Sequence, residues 1–153
     1  MGLFDAMTIS ASGLTAERLR MDTISANLAN ANSTVRADGK PGPYLRRSVM
    51  LGEQGASAGG VHPSFSTFGD FSTSASPGGV QVIGIVEDTS TQPGLKYDPS
   101  SPDADAKGYV RTPNVNSVTE MTDLITATRA YEANTTSMNA IKQEFSRAID
   151  VLR

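Results

Sequence analysis

The acidic side chains near residue 105 come closest to a pattern that could do chemistry. Asp103, Asp105 and Gly108 resemble the opening of a calcium loop, in which alternate carboxylates coordinate the ion. Such a loop needs a bidentate glutamate at its twelfth position, but Asn114 stands there and Lys107 occupies the fifth position. The segment is therefore predicted to be a turn and not a metal site.

Groups suited to catalysis are also scarce. The single histidine, His62, lies in a Gly/Ser-rich stretch with no partner at metal-ligand spacing. Glu87 and Asp88 are adjacent, so on a strand their carboxylates point apart and do not share a proton. The absence of cysteine excludes disulfides and thiolate sites. We predict an interaction protein with no enzymatic activity and no cofactor; the alternative, a carboxylate-dependent enzyme, requires two acidic residues that converge in one pocket.

Two long helices are the elements on which the rest of the chain depends. Near the C-terminus, apolar residues recur at every seventh position from Leu124, which is typical of an amphipathic helix. The run from Ser117 to Glu120 predicts a capping box at its start. No Gly or Pro follows Pro113, so we expect a helix of roughly 54 Å, longer than its own domain. The repeat consists of Leu124, Tyr131, Met138, Phe145 and Leu152.

The N-terminal segment carries the same repeat at Met7, Leu14, Met21 and Leu28. Gly13 lies inside this second predicted helix, at a cost of about 1 kcal/mol relative to Ala. Because both terminal helices share the spacing, they are predicted to pair as an antiparallel or hairpin-like coiled coil. Their apolar stripes are too long to be buried within one chain, so both sets of residues are predicted to form an assembly interface with other chains.

Asparagines cluster at the end of the first helix, where Asn27, Asn30 and Asn32 fall within two turns. Asparagine is a poor interior helix former but a good partner for exposed backbone groups. These side chains either close the helix or bond to a neighbouring helix. Asn27 and Asn30, together with Asn134 in the second helix, are candidates for polar contacts between helices.

The middle of the chain, residues 36–112, is predicted to be a small β module. Strands are expected over 44–51, 80–86, 95–97 and 109–111, and the second is apolar on both faces and therefore expected to be central. A Gly/Ser-rich loop is predicted at about 52–79, in which Phe65, Phe68 and Phe71 offer an alternative role as a partner anchor. The fold class is thus α+β, with residues 1–35 and 113–153 forming one discontinuous helical domain.

Charge and hydropathy exclude several classes of partner. The net charge of −3 is spread evenly over the chain, so no part forms a basic arm for nucleic acid or a membrane patch. The sequence contains neither a membrane-spanning stretch nor a cleavable signal peptide. Taken alone, these features favour a cytoplasmic coiled-coil adaptor protein, which is the main alternative to an extracytoplasmic assembly subunit.

Several motifs together resemble a known family. The run Ser25-Ala26-Asn27-Leu28-Ala29-Asn30-Ala31-Asn32, combined with Arg129-Ala130-Tyr131-Glu132-Ala133-Asn134, is similar to the axial proteins of the bacterial flagellum, which build its rod and hook. Within that family, the stretches Tyr97-Asp98-Pro99, Pro102-Asp103-Ala104-Asp105 and Gly108-Tyr109-Val110 resemble the proximal rod subunits, as does the short length. The short middle module argues against another axial position in the distal rod or hook.

The resemblance implies a structural role in motility. It implies a subunit of the proximal rod of the basal body, whose terminal helices line the export channel and whose assembly transmits torque. Expected partners are other copies of the chain, the rod proteins FlgB, FlgF, FlgG and FliE, and the flagellar type III export apparatus. Export through that apparatus without a cleaved signal peptide would place the subunit in the periplasm-spanning rod and would explain the missing signal sequence.

Overall fold

The computed structural model describes residues 2–36, 42–54 and 78–151. Helix α1 spans Leu3–Ala29 and helix α2 spans Ser117–Val151, and the two pack against each other. Between them lie four short antiparallel strands: β1 (Arg47–Gln54), β2 (Gly79–Glu87), β3 (Gly94–Tyr97) and β4 (Tyr109–Thr112). The predicted α+β class, with long terminal helices around a small β middle, is confirmed. Leu152, His62, Phe65, Phe68 and Phe71, and most of the predicted Gly/Ser loop, lie outside the described residues.

Helix α2 begins where the sequence predicts, but its cap is a different residue. The side-chain oxygen of Asn116 accepts hydrogen bonds from the backbone N–H groups of Val118 and Thr119, at 3.0 and 3.4 Å. Asparagine is as good a cap as serine. Glu120, expected to complete a capping box with Ser117, is instead fully buried and bonds to other elements. The predicted capping box is therefore wrong, because the tertiary partners of Glu120 outcompete the helix end.

Strands β1 and β2 form an antiparallel ribbon from Arg47 opposite Glu87 to Gln54 opposite Gly79. The register shifts between Met50 and Leu51, where Ile83 is left without an opposite residue. A Cβ on Gly52 would lie 2.7 Å from the Ile83 side chain, so the glycine gives this bulged residue its space. In the described part of the chain β2 pairs with β1 alone, and Ile83 and Ile85 are exposed. The prediction of a central β2 is wrong; the strand is apolar without being buried.

Strands β3 and β4 form a second antiparallel ribbon, with Gly94 opposite Thr112 and Tyr97 opposite Tyr109. The rings of Tyr97 and Tyr109 meet edge to face with centroids 5.3 Å apart. Val110 faces inward and is buried, whereas every residue of β3 is exposed. This ribbon therefore buries little surface of its own.

The core of the described residues is small and partly polar. Its buried members include the apolar Ala16, Ile24, Val110 and Ala127, together with the polar Thr23, Asn27 and Glu120. No described helix is long and apolar enough to cross a membrane. A fold with so few buried apolar side chains depends more than usual on specific polar contacts.

Candidate assembly interface

The closest line of contact between α1 and α2 is filled by small and polar residues. On α2 the seam contains Glu120, Ala127 and Asn134, which are seven residues apart. Asn27 of α1 meets Glu120, and Gly13 meets Asn134, so the helices run antiparallel. The seam therefore follows a seven-residue repeat, but not the repeat of large apolar residues.

Gly13 makes this close approach between the helices feasible. A Cβ at position 13 would lie 2.9 Å from the Asn134 side-chain nitrogen, which is inside van der Waals contact. The glycine costs helix propensity but admits the Asn134 side chain to the surface of α1. The contact with Asn134 thus explains why a glycine occurs in the interior of this helix.

The large apolar residues predicted to form the assembly interface lie beside this seam. On α2, Leu124, Tyr131 and Met138 each follow a seam residue by four positions, about 40° further round the helix. Met21 of α1 accepts a hydrogen bond from the Thr128 hydroxyl at 3.6 Å, and the rings of Phe4 and Phe145 meet at 6.0 Å. These contacts place both apolar rows on one side of the seam. Phe145 is 43 % exposed, and the half-buried members are Met7, Leu14, Met21, Leu28, Leu124, Tyr131 and Met138.

Asn27 is the residue at which the elements converge. Its side-chain N–H groups donate to the Arg47 carbonyl at 2.8 Å and to the Glu120 carboxylate at 2.9 Å. Its oxygen accepts from the Arg47 backbone N–H and from the Tyr44 hydroxyl, both at 2.9 Å. The amide thus uses both donors and both acceptor positions while fully buried. Asn27 joins α1, α2 and the start of β1 in one cluster.

Arg46 neutralises the carboxylate in this cluster. Its Nε donates to Glu120 at 2.5 Å, and a second guanidinium nitrogen lies 3.2 Å from Asp123. Glu120 has no exposed surface, so its charge requires this pairing and the Asn27 bond. We call Asn27, Tyr44, Arg46 and Glu120 the polar cluster.

The neighbouring side chains extend the polar cluster onto the ribbon. Burial raises the pKa of Tyr44, an effect that the nearby Arg47 opposes, so the hydroxyl stays protonated as a donor to Asn27. Glu87 accepts hydrogen bonds from Arg36 and Arg47, which hold the pKa of its carboxyl below the ordinary glutamate value. Asn114 accepts from the backbone of Arg46 at 2.8 Å. These contacts fix the ribbon relative to the helix pair.

The other predicted polar contacts take different forms. The Asn30 amide donates to the Ala26 carbonyl of its own helix and its oxygen accepts from Ser33, so within the chain it closes the end of α1. Asn134 of α2 packs against Gly13 of α1 in the same chain. Of the three asparagines, the structure brings Asn27 and Asn134 to the seam and keeps Asn30 at the helix end.

The carboxylates of the acidic turn near residue 105 accept hydrogen bonds from groups of the chain itself. Asp103 accepts from the Thr34 hydroxyl at 2.7 Å, and Asp105 accepts from the Lys107 backbone N–H at 2.7 Å. No group of three potential metal ligands occurs among the described residues. The segment is a turn, as predicted.

Sequence reasoning missed Glu120, Tyr44 and Arg46 as members of a buried cluster. A signal was present in α2, where Glu120, Ala127 and Asn134 repeat with the same period as the large apolar residues. Searching for a repeat of small and polar residues, instead of hydrophobic ones, would have identified the seam. Nothing in the local sequence around Tyr44 and Arg46 indicates that they reach helix residues 17 and 74 positions away.

Two protein-family models match the terminal segments. Residues 7–37 match the model described as flagella basal body rod protein. Residues 106–151 match the model described as flagellar basal body rod FlgEFG protein C-terminal. The matched segments include most of α1 and all of α2.

Curated relatives match nearly the whole chain. Proteins named flagellar basal-body rod protein FlgC are 44 % identical in Bacillus subtilis, over 99 % of each chain, and 41 % identical in Borreliella burgdorferi, over 100 % of this chain and 99 % of the relative. The protein of that name from Escherichia coli O157:H7 is 36 % identical over 93 % of this chain and 92 % of its own. These matches confirm the predicted structural, non-enzymatic role in the rod of the flagellar basal body. The chain belongs to the FlgC family of proximal rod proteins.

Proposed function

We propose that this subunit builds the proximal rod by burying the apolar rows beside its helix seam against helices of neighbouring subunits. The supporting observation is that two different sets of residues on α1 and α2 occupy different positions. Small and polar residues fill the contact within the chain, whereas the large apolar residues stay half-buried or exposed. Burying a Leu or Phe fully stabilises by roughly 1.5–3 kcal/mol, so a row of them gives a strong drive to associate.

The packing between subunits is proposed to be of the coiled-coil type. The assembly residues recur with a period of seven, which is the spacing that knobs-into-holes packing requires. In this proposal residues 1–35 and 113–153 act as one assembly domain, and residues 36–112 form a separate β module on its outer side. The proposed interface consists of Met7, Leu14, Met21, Leu28, Leu124, Tyr131, Met138, Phe145 and Leu152.

Neighbours and location follow from membership of the rod. We propose contacts with other copies and with the rod proteins FlgB, FlgF, FlgG and FliE, and passage through the flagellar type III export apparatus. The subunit would then reach the periplasm-spanning rod without cleavage of a signal peptide. A monomer with a small apolar core supports this route, because unfolding for transport would newly expose few apolar side chains that the folded chain buries.

Electron microscopy of basal bodies from cells that lack this chain tests the function. We expect the membrane ring to be present and the rod and hook to be absent above it. Restoring the gene on a plasmid serves as the control and should restore the rod. An intact rod and hook in the deletion strain would contradict the proposal and favour the adaptor alternative.

A further inference from the structure

A cleft of about 350 Å³ lies between the helix pair and strand β1. Arg20, Thr23 and Ile24 of α1 line one wall, Asp123 of α2 contributes to the rim, and residues 46–49 and 51 form the opposite side. The cleft is separate from the apolar rows of the proposed interface, because none of the residues in those rows lines it. It is therefore a surface distinct from the proposed interface.

The lining of the cleft carries more positive than negative charge. Arg20, Arg46 and Arg47 contribute three guanidinium groups, and Asp123 is the one lining carboxylate among the described residues. Arg46 is held by Glu120 and Asp123, and Arg47 is held by Glu87. Both of these cations are thus engaged within the chain.

Arg20 is engaged much more loosely. Its contact within the described chain is an ion pair with Glu17 at 3.9 Å, beyond hydrogen-bond distance. The other Glu17 oxygen is buried and bonds to no described protein group, so the pair is poorly matched. The Arg20 side chain is 41 % exposed, and its planar fork suits two hydrogen bonds to a carboxylate.

We propose that this cleft receives an acidic side chain of a neighbouring rod subunit and that Arg20 binds its carboxylate. The inference rests on the proposed function, since the occupant is another subunit of the rod. The exposed and loosely paired Arg20 guanidinium supplies the charge complementarity, since Arg46 and Arg47 are already held by carboxylates of the chain. Ile24, Val49 and Leu51 add an apolar wall that suits the methylene stem of an aspartate or glutamate on a protein and has no role for a free inorganic anion.

Charge reversal of Arg20 in flagellated cells tests this docking surface. Arg20→Glu should abolish swimming and leave basal bodies without a complete rod, while the chain is still exported. Arg20→Lys should restore much of the swimming, because it keeps the charge and loses only the fork. Arg18→Glu is the matched control, as Arg18 is exposed on the same helix and does not line the cleft; it should swim normally.

Three further measurements separate docking from other roles of Arg20. Suppressors of Arg20→Glu should include an acidic-to-basic change in a rod subunit, and the purified variant should keep its urea midpoint. Glu17→Gln should swim, since docking does not depend on that pair. The proposal would be overturned if the purified Arg20→Glu chain were destabilised, or if the Glu17→Gln strain had the same swimming defect. It would also be overturned if inorganic phosphate stabilised the purified parent chain in a way that depends on Arg20. If deletion removes the rod but Arg20→Glu builds it normally, this inference fails and the proposed function stands.

Discussion

Asn27 shows how one side chain can fix the relation of three segments. Its four hydrogen bonds join it to the backbone N–H and the backbone carbonyl of Arg47, to the Tyr44 hydroxyl and to the Glu120 carboxylate. A buried amide with all positions satisfied is worth more for geometry than for net stability, because each bond replaces one to water. Losing the amide, in contrast, deprives the fully buried Glu120 carboxylate and three part-buried groups of a hydrogen-bond partner at once.

We therefore expect Asn27→Ala to be strongly destabilising. The cost should be about 2–4 kcal/mol, since a buried carboxylate and a backbone donor lose a partner at once. Urea unfolding of the purified chain, followed by circular dichroism, measures the change. Asn32→Ala, at an exposed position just beyond the same helix, is the control and should be within about 0.5 kcal/mol of the parent. Equal midpoints for the two variants would contradict the role of Asn27.

The ion pairs of Glu87 predict a specific acid sensitivity. Hydrogen bonds from Arg36 and Arg47 lower its folded-state pKa. Its stabilising contribution is therefore fully present above the ordinary glutamate pKa and is lost as the pH falls through the lowered value. Compared with Glu87→Gln, the parent chain should lose its stability advantage across that acidic range, measured by urea midpoints at successive pH values. The matched control is Glu53→Gln, at an exposed position of β1, and a loss of the same size in that variant would contradict the role of the Glu87 ion pairs.

At this scale the sequence predicted that Asn27 makes a polar contact but not what it contacts. An Asn-rich helix end is equally compatible with capping and with a bond to another helix, and Asn30 and Asn27 take one role each. The deciding factor is which way each side chain faces. That direction depends on where β1 and α2 lie, which local sequence does not encode.

In the helix pair, the residues that make contacts within the chain differ from those proposed to make contacts between chains. Small and polar residues occupy the seam, and on α2 the large apolar residues are displaced about 40° to one side of it. The period of seven was readable from the sequence because both sets share it. Which set faces the partner helix was not readable, since hydrophobicity alone assigns the seam to the larger residues.

Replacing an assembly residue by aspartate should block incorporation into the rod. Leu124→Asp or Phe145→Asp places a charge where neighbouring helices are proposed to pack, at a cost of several kcal/mol if it is buried. Export should continue, so the variant chain should be secreted while basal bodies lack the rod. Thr136→Asp lies on the exposed face of the same helix and should assemble. Normal rods with either apolar variant would refute this interface.

Gly13 and Asn134 should be coupled in stability. Gly13→Ala gains about 1 kcal/mol of helix propensity, but in the parent chain the new methyl group meets the Asn134 side chain. In an Asn134→Ala background that contact is gone, so the same change should stabilise by about 1 kcal/mol. A double-mutant cycle on urea unfolding measures the difference. The same gain in both backgrounds would show that the two residues do not constrain each other.

In the whole molecule, one end of the helix pair is packed against other parts of the chain and the other end is exposed. The polar cluster and the ribbons stabilise one half of the helix pair, whereas every residue from Lys142 to Asp150 is exposed. The α+β class and most strands were predictable, because alternation and turn residues are local. The peripheral position of β2 was not predictable, since an apolar strand has the same sequence pattern whether its cover comes from its own chain or from a neighbour.

This distribution predicts uneven protection from hydrogen exchange. In the purified chain, amides of α2 near Glu120 and Ala127 should exchange slowly, because tertiary contacts hold this part of the helix. Amides from Lys142 to Asp150 should exchange much faster, since an uncovered helical segment of this length is marginal in water. In isolated basal bodies the second segment should become protected. Mass spectrometry of both samples provides the comparison, and uniform protection of α2 in the free chain would contradict the prediction.

The polar character of the core also sets how the subunit responds to temperature. Heat-capacity changes scale with the apolar surface removed from water, and the described residues bury few apolar side chains in the free chain. Unfolding of the monomer should therefore have a small heat-capacity change and a broad, flat stability curve. Association should have the opposite signature, a large negative heat-capacity change and an entropic drive near room temperature. Cooling would then reduce the free energy of association between subunits more than it reduces the free energy of unfolding of each subunit.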